Sequence, residues 1–518
     1  MITRIYKSLI LQMAAVIGLS SCVNNWLDQT PSNGIPTNQA ITNYNDAKTA
    51  MYGMYDGLQG NSKYNEYYAA RMFYYGDVRG DDMQARDQGM RTSSCYEMRY
   101  TVDDAPAVWN IPYNVIRRAN RIIEAVDNKK ILDADKYQKQ IDDIYAQAKV
   151  VRALVHFDLV RIYGNPYTSD NGISLGIPFV DTALATDAQQ GRETVAKVYE
   201  KVIKDLTDAV GSGALHKSEK VGEKQGFIEQ WAAEALLARV YLYKGENELA
   251  LSTAKNIIKN SPYKLWEADE YADAWDKMNA KHTKEIMFEL INNGTDDWAD
   301  REGIGYLYNE DGYADAICTK SFVDMLKAEQ NDVRISVVLP VQKKTDDKGN
   351  PTELYKKYGD EPIFINKFPN GQQGDPRLQN LPILRLSEVY LNAAEAAIKL
   401  GGGYMDDAVN YLNDIIKARS LDVNSAKLVD NSTVTLERVL LERRKELVGE
   451  GHRFFDAMRN NETIVRYESQ DKDKMGWHYA LNEDSRKFDR TYFRAILPIP
   501  VSEVNANPVI AKQQNPGY

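Results

Sequence analysis

Two distant segments of this chain share one pattern, and that pattern restricts the fold more than any other feature. In "YLYKGENELALSTAKNII", Gly245 is followed by Ala250, Ala254, Ile257 and Ile258. In "AIKLGGGYMDDAVNYLNDII", Gly403 is followed by Ala408, Leu412, Ile415 and Ile416 at the same spacings. Apolar residues three and four apart share one face of a helix. A helix, a glycine turn and a second helix with small residues at the crossing form a tetratricopeptide-like hairpin, which buries its apolar face only by stacking on neighbours.

Other segments extend the scheme. Ile144, Ala148, Val151, Val155, Leu159 and Ile162 form one stripe. Leu386, Val389, Tyr390, Ala393, Ala397 and Leu400 form another, which the glycines at 401–403 stop. Residues 109–127 pair with 138–163, and 193–211 with 227–244 as a bridging helix. The expected fold is therefore mainly α, a tetratricopeptide-like helical-repeat scaffold interrupted by long loop-rich inserts at 60–105, 164–192, 262–382 and 460–518. Loops of that length inside a compact protein usually bind something or lack order; their many aromatic residues favour binding.

The first residues read as an export signal. Arg4 and Lys7 precede an apolar run from Leu9 to Leu19, interrupted by Gln12 and closed by Ser20, Ser21 and Cys22. The run falls short of the ~20 apolar residues of a membrane span. Its ending is similar to the lipobox of bacterial lipoproteins, in which the cysteine is acylated and becomes the first mature residue. Residues 1–21 are then a signal peptide, Cys22 the lipidation site, and 22–518 a single domain. Stable anchoring takes more than one acyl chain, which a triacylated cysteine provides.

A formal charge of −10 argues against nucleic acid, whose phosphates call for a basic face. Thirty-three tyrosines and seven tryptophans against twelve phenylalanines favour rings with a polar handle, which suit polar ligands or half-buried helix positions. No catalytic centre stands out. "GISLG" at 172–176 satisfies the G-x-S-x-G pattern, but a nucleophile elbow needs a strand before it and a helix after it; Pro178 and a turn-rich context oppose that role for Ser174. No carboxylate spacing singles out a glycosidase pair. His156, His216, His282, His452 and His478 lack metal-ligand spacing, and the oxygen-rich "DDWADREG" and "NEDGYAD" lack the EF-hand order. No cofactor and no metal are expected.

Three segments carry a resemblance. "LERRKELVGEGHRFFDAMR" supplies Glu442, Arg443, Glu446, Leu447, Glu450, Gly451, Arg453, Asp456 and Arg459. "LPIPVSEVNANPVIAKQQNPGY" ends the chain, and "PILRLSEVYLNAAEA" and "WLDQTP" add to the pattern. Together they resemble the SusD/RagB family, outer-membrane lipoproteins with which Bacteroidetes-type bacteria capture nutrients. The resemblance implies a non-catalytic protein that holds an oligosaccharide or polysaccharide at the cell surface. It would pass that glycan to a SusC-like TonB-dependent transporter; the alternative is a peptide-binding RagB-like uptake lipoprotein. Within the signature, Glu442, Glu446, Arg443 and Arg453 are spaced for charge pairing along a helix that Gly451 ends. Val23, Asn24 and Asn25 depart from the acidic residues often found after the anchor of surface-exported lipoproteins.

The resemblance also implies a shallow, aromatic-lined site made by loops. Two segments fit. "YYAARMFYYGDVRGDDMQARDQGMR" offers Tyr67, Tyr68, Tyr74, Tyr75, Asp77, Arg79, Asp81, Asp82 and Arg86. "NNGTDDWADREGIGYLYNEDGY" offers Trp298, Tyr306 and Tyr308. Rings stack on the CH face of a sugar, while carboxylates and guanidinium groups bond its hydroxyls. The expected ligand-binding set is Tyr74, Tyr75, Asp77, Arg79, Asp81, Asp82, Trp298, Tyr306 and Tyr308. Trp109 opens an amphipathic helix and is expected in the core. Cys95 and Cys318 each follow one of these segments, so they either bridge the two or stay free and buried.

Overall fold

The computed structural model describes residues 40–60, 67–105, 108–185, 187–293, 303–369, 374–467 and 477–518. Cys22 and Trp298 lie outside the described residues. The scaffold consists of α1 (Tyr44–Gln59), α2 (Asn110–Asp127), α3 (Ala134–Tyr163), α4 (Val195–Gly211), α5 (Gln230–Lys244), α6 (Asn247–Asn260), α7 (Leu386–Leu400) and α8 (Met405–Ala418). Each packs on the next, including α6 on α7 across the whole insert between them. The two repeated hairpins are thus side by side.

Their small residues are the reason. Ala250 and Ala254 on α6 and Ala393 and Ala397 on α7 are fully buried, and side chains this short let helix axes approach closely. Gly245 ends α5 at φ +89°, its N–H donating to the Leu242 carbonyl, a left-handed cap that glycine takes without strain. At the second hairpin the turn begins at Gly401 and Gly402, both at positive φ, ahead of the Gly403 inferred from spacing. Asn43, Thr194 and Thr435 cap helix N-termini with their side-chain oxygens.

The inserts fold onto this scaffold as a second layer. Strand β1 (Met83–Ala85) pairs antiparallel with β3 (Ala316–Cys318), placing Met83 opposite Cys318 and Ala85 opposite Ala316. The first and third inserts are therefore joined. Strand β2 (Ile286–Leu290) pairs with β4 (Leu381–Arg385), which runs straight into α7. The last insert closes over the first: Gln84 donates to the Trp477 carbonyl, and Arg466 donates to the carbonyls of Gly80 and Arg79. Cys95 and Cys318 are free thiols, both buried. Trp109 is in the core, edge-on to Tyr163 at 4.8 Å.

Candidate functional site

The first expected ligand segment is turned inward. Tyr74 is 4% exposed, and Tyr75, Asp77, Arg79 and Asp82 are less so. Asp81 is buried as well. These residues dock the insert on the signature segment, which comprises α9 (Leu436–Leu447), α10 (Arg453–Arg459) and the turn between them. Asp77 accepts hydrogen bonds from the Gly451 N–H at 3.1 Å and the Tyr308 hydroxyl at 3.0 Å. Asp81 pairs with Arg453 at 2.6 Å and Asp82 with Arg444 at 3.0 Å. Arg79 donates to the Ala495 carbonyl at 2.6 Å and lies 3.9 Å over the Phe454 ring. Tyr67 and Tyr68 both donate to Asp158. Tyr74, Tyr75, Asp77, Arg79, Asp81, Asp82 and Tyr308, expected at a ligand surface, are therefore turned into the fold and buried. Of the acids and arginines that suggested a hydroxyl-binding rim, Asp81 and Asp82 pair with arginines of the signature, while Asp77 is held by an amide and a hydroxyl and Arg79 by a carbonyl and a ring.

The signature is structural, as expected, but its partners lie across the fold more than along its own helix. Glu446 meets Arg385 at 3.1 Å and Arg419 at 3.0 Å, and both arginines also hold Glu285. Glu450 binds Arg385 and Lys367, and Glu442 binds Arg334. On the other side Arg443 bridges Asp456 and Asn392, while Arg459 reaches Glu395. All of these side chains are buried, that of Glu450 at 5% exposure. Burial opposes ionisation of Glu446, yet Arg419 and Arg385 hold it well below the usual carboxylate range. Asp77 goes the other way: burial outweighs its hydrogen bonds and pushes it up to about 8.

What reaches the surface where the two joined inserts meet is different. Tyr306, half-buried, and Tyr313, 36% exposed, stand edge to face at 4.8 Å. Tyr313 donates its N–H to the Tyr306 carbonyl at 2.9 Å. The turn between them needs Gly312, where a Cβ would sit 2.0 Å from the Tyr306 oxygen. Arg91 lies 3.6 Å over the Tyr313 ring and Arg377 5.3 Å over Tyr306. Asp375 holds Arg377, Asp87 holds Arg86, and Asp315 faces Arg91 at 3.6 Å. Burial pushes Asp315 upward despite Arg91 and Arg86. Of the described members of the expected set, Tyr306 alone falls in this patch. Tyr313, Arg91 and Arg377 were missed, although Tyr313 closes the quoted "NEDGY" turn.

A cavity of about 260 Å³ lies elsewhere, between residues 328–334 and 416–427, and its lining has no aromatic ring. The "GISLG" segment follows the short helix Tyr167–Asp170 and runs on as loop, without the strand and helix of an elbow. Among the described residues no His, Cys, Asp and Glu cluster is arranged to hold a metal, and no helix is long and apolar enough to cross a membrane.

Comparison with known proteins gives concordant matches. Residues 243–518 match the family model described as SusD family, and residues 25–242 match one described as "Starch-binding associating with outer membrane". SusD-like protein P38 of Formosa agariphila is 25% identical over 94% of this chain and 96% of its own. A SusD superfamily protein of Bacteroides thetaiotaomicron has a crystal structure that superposes with a TM-score of 0.80. It is 35% identical, over 92% of this chain and all of the other. A laminarin-binding SusD-like protein, 22% identical, shares the fold with a TM-score of 0.66 over 92% of this chain and all of its own.

Proposed function

The chain belongs to the SusD family, and from that premise we propose that it is a non-catalytic, glycan-binding lipoprotein of the cell surface. It is anchored in the outer membrane through Cys22. It captures oligosaccharide or polysaccharide and delivers it to a SusC-like TonB-dependent transporter. The observation that carries the reading is the Tyr306–Tyr313 pair, held at the surface among arginines and carboxylates where two inserts join. Rings contact the CH faces of a sugar while the charged rim bonds its hydroxyls. The starch named for the matching family model and the laminarin named for the structural relative support the ligand class.

Native gels cast with a panel of polysaccharides test this. Wild type and Tyr313→Ala run side by side, and the supernatants are analysed for released sugar. Retardation of wild type, weakened in the variant and without released sugar, is expected. Retardation by peptides alone would replace glycan capture with peptide uptake, and sugar release would replace binding with hydrolysis.

A further inference from the structure

We propose that the ligand surface extends from Tyr306 and Tyr313 to a further ring, Trp477, and so holds a linear glycan of several units rather than one or two sugars. The inference rests on the glycan-binding reading above. Trp477 comes from the last insert, and the β1 segment joins it to the tyrosine pair. The Gln84 side chain donates to the Trp477 carbonyl at 3.0 Å. Two residues on, the Arg86 side chain is directed at the Tyr313 carbonyl. Residues two apart in extended backbone share a side and lie about 6.6 Å apart.

The path between the rings is continuous and lies at the surface. Arg86 pairs with Asp87 at 3.0 Å, and Asp87 meets Lys357 at 3.4 Å. Side-chain exposure along it is 19% at Arg86, 48% at Asp87 and 44% at Lys357. Lys357 precedes Tyr358, against which the Trp477 ring stands edge to face at 5.4 Å. Tyr358 is buried and so fixes the orientation of Trp477, which is half-buried. The tyrosine rings each give a face to an arginine. Among the described residues no cation lies over the Trp477 ring and no acceptor meets its indole N–H. Trp477 therefore offers part of its ring to the CH face of a sugar and its N–H to a hydroxyl. A chain that touches Tyr313 and reaches Trp477 makes the second contact intramolecularly, which raises affinity without a tighter contact at either ring.

The mature protein is titrated with laminarin, amylose and β-1,4-galactan, each beside its own series from disaccharide to octasaccharide. For a glycan that binds, affinity should climb with length until both rings are spanned and then level off. Trp477→Ala and Trp477→Leu should each weaken the octasaccharide roughly tenfold and leave the shortest bound oligosaccharide unchanged. Leucine keeps packing against Tyr358 without a ring, so that variant holds the fold. Trp477→Phe, which keeps a ring and lacks the N–H, should recover most of the loss. Tyr313→Ala should weaken every length. Octasaccharide binding unchanged in Trp477→Leu, or weakened equally at every length, would overturn the extension and leave glycan capture standing. Binding of none of the three glycans would overturn both.

Discussion

Glu446 shows what a single carboxylate does here. It is fully buried between Arg385 and Arg419, which also share Glu285. Glu446→Gln keeps the shape and removes the charge, so two buried guanidinium groups lose compensation. Removing one partner of a buried ion pair typically costs about 3–5 kcal/mol, and urea unfolding should show a loss of that order. Asp77 makes the opposite prediction. Its pKa rises from 3.8 to about 8 on folding, so its stabilising contribution is full below pH 4 and is lost as pH climbs through 8. Asp77→Asn cannot ionise, and its amide still accepts from Gly451 and meets Tyr308. Wild-type stability relative to this variant should therefore fall by a few kcal/mol between pH 4 and pH 8. A constant difference across that range would refute the assignment. The sequence displayed both kinds of residue without distinguishing them. Asp81 and Arg453 lie far apart in the chain yet meet at 2.6 Å, and residue type alone does not show whether such groups bind each other or a ligand.

At the scale of elements, the helices were legible because their information is local. The stripes on α3, α6, α7 and α8, together with the glycines that end helices, fixed type and pairing to within a few residues. The inserts were not legible, because β1 and β3 are three residues each and are held by pairing across the chain. Nor was the closest crossing of the layers. Gly76, on the short helix Arg71–Asp77, sits so near Gly451 that a Cβ would fall 1.8 Å from the Gly451 carbonyl oxygen. Backbone faces backbone there, and no rotamer change can relieve the clash. Gly76→Ala should destabilise by more than about 3 kcal/mol. Gly245→Ala has open space around the Cβ and pays only for its left-handed φ, about 1 kcal/mol. Thermal melts of the two variants should differ accordingly; equal losses would mean the crossing is looser than the contact implies.

For the whole molecule, the signature is what makes scaffold and inserts one structure. Its acids and bases take partners from the third insert at Arg334 and Lys367, from the first at Asp81 and Asp82, from the end of β4 at Arg385, and from the scaffold at Glu395 and Arg419. Many of these carboxylates are held low in the fold. Burial opposes their ionisation, but Arg334 holds Asp332 down, Arg459 holds Glu395 down, and Arg444 and Arg453 hold Asp81 down. Each such group stabilises the fold above its unfolded pKa near 4 and loses that contribution as pH falls through the lower folded value. The loss should accordingly concentrate below about pH 5 and reach several kcal/mol by pH 3, steeper than Asp77 alone offsets. Because the same carboxylates tie every layer together, acid should release scaffold and inserts in one transition. Tryptophan fluorescence and far-ultraviolet circular dichroism, followed through an acid titration, check this directly. In a variant with Trp109 and Trp231 of the scaffold replaced by Phe, the buried tryptophans Trp266 and Trp275 report the insert core beside Arg385, whereas the dichroism reports mainly the helices of the scaffold. Coincident curves are expected. An early fluorescence change with intact helices would show that the insert layer opens first and that the network does not couple the layers.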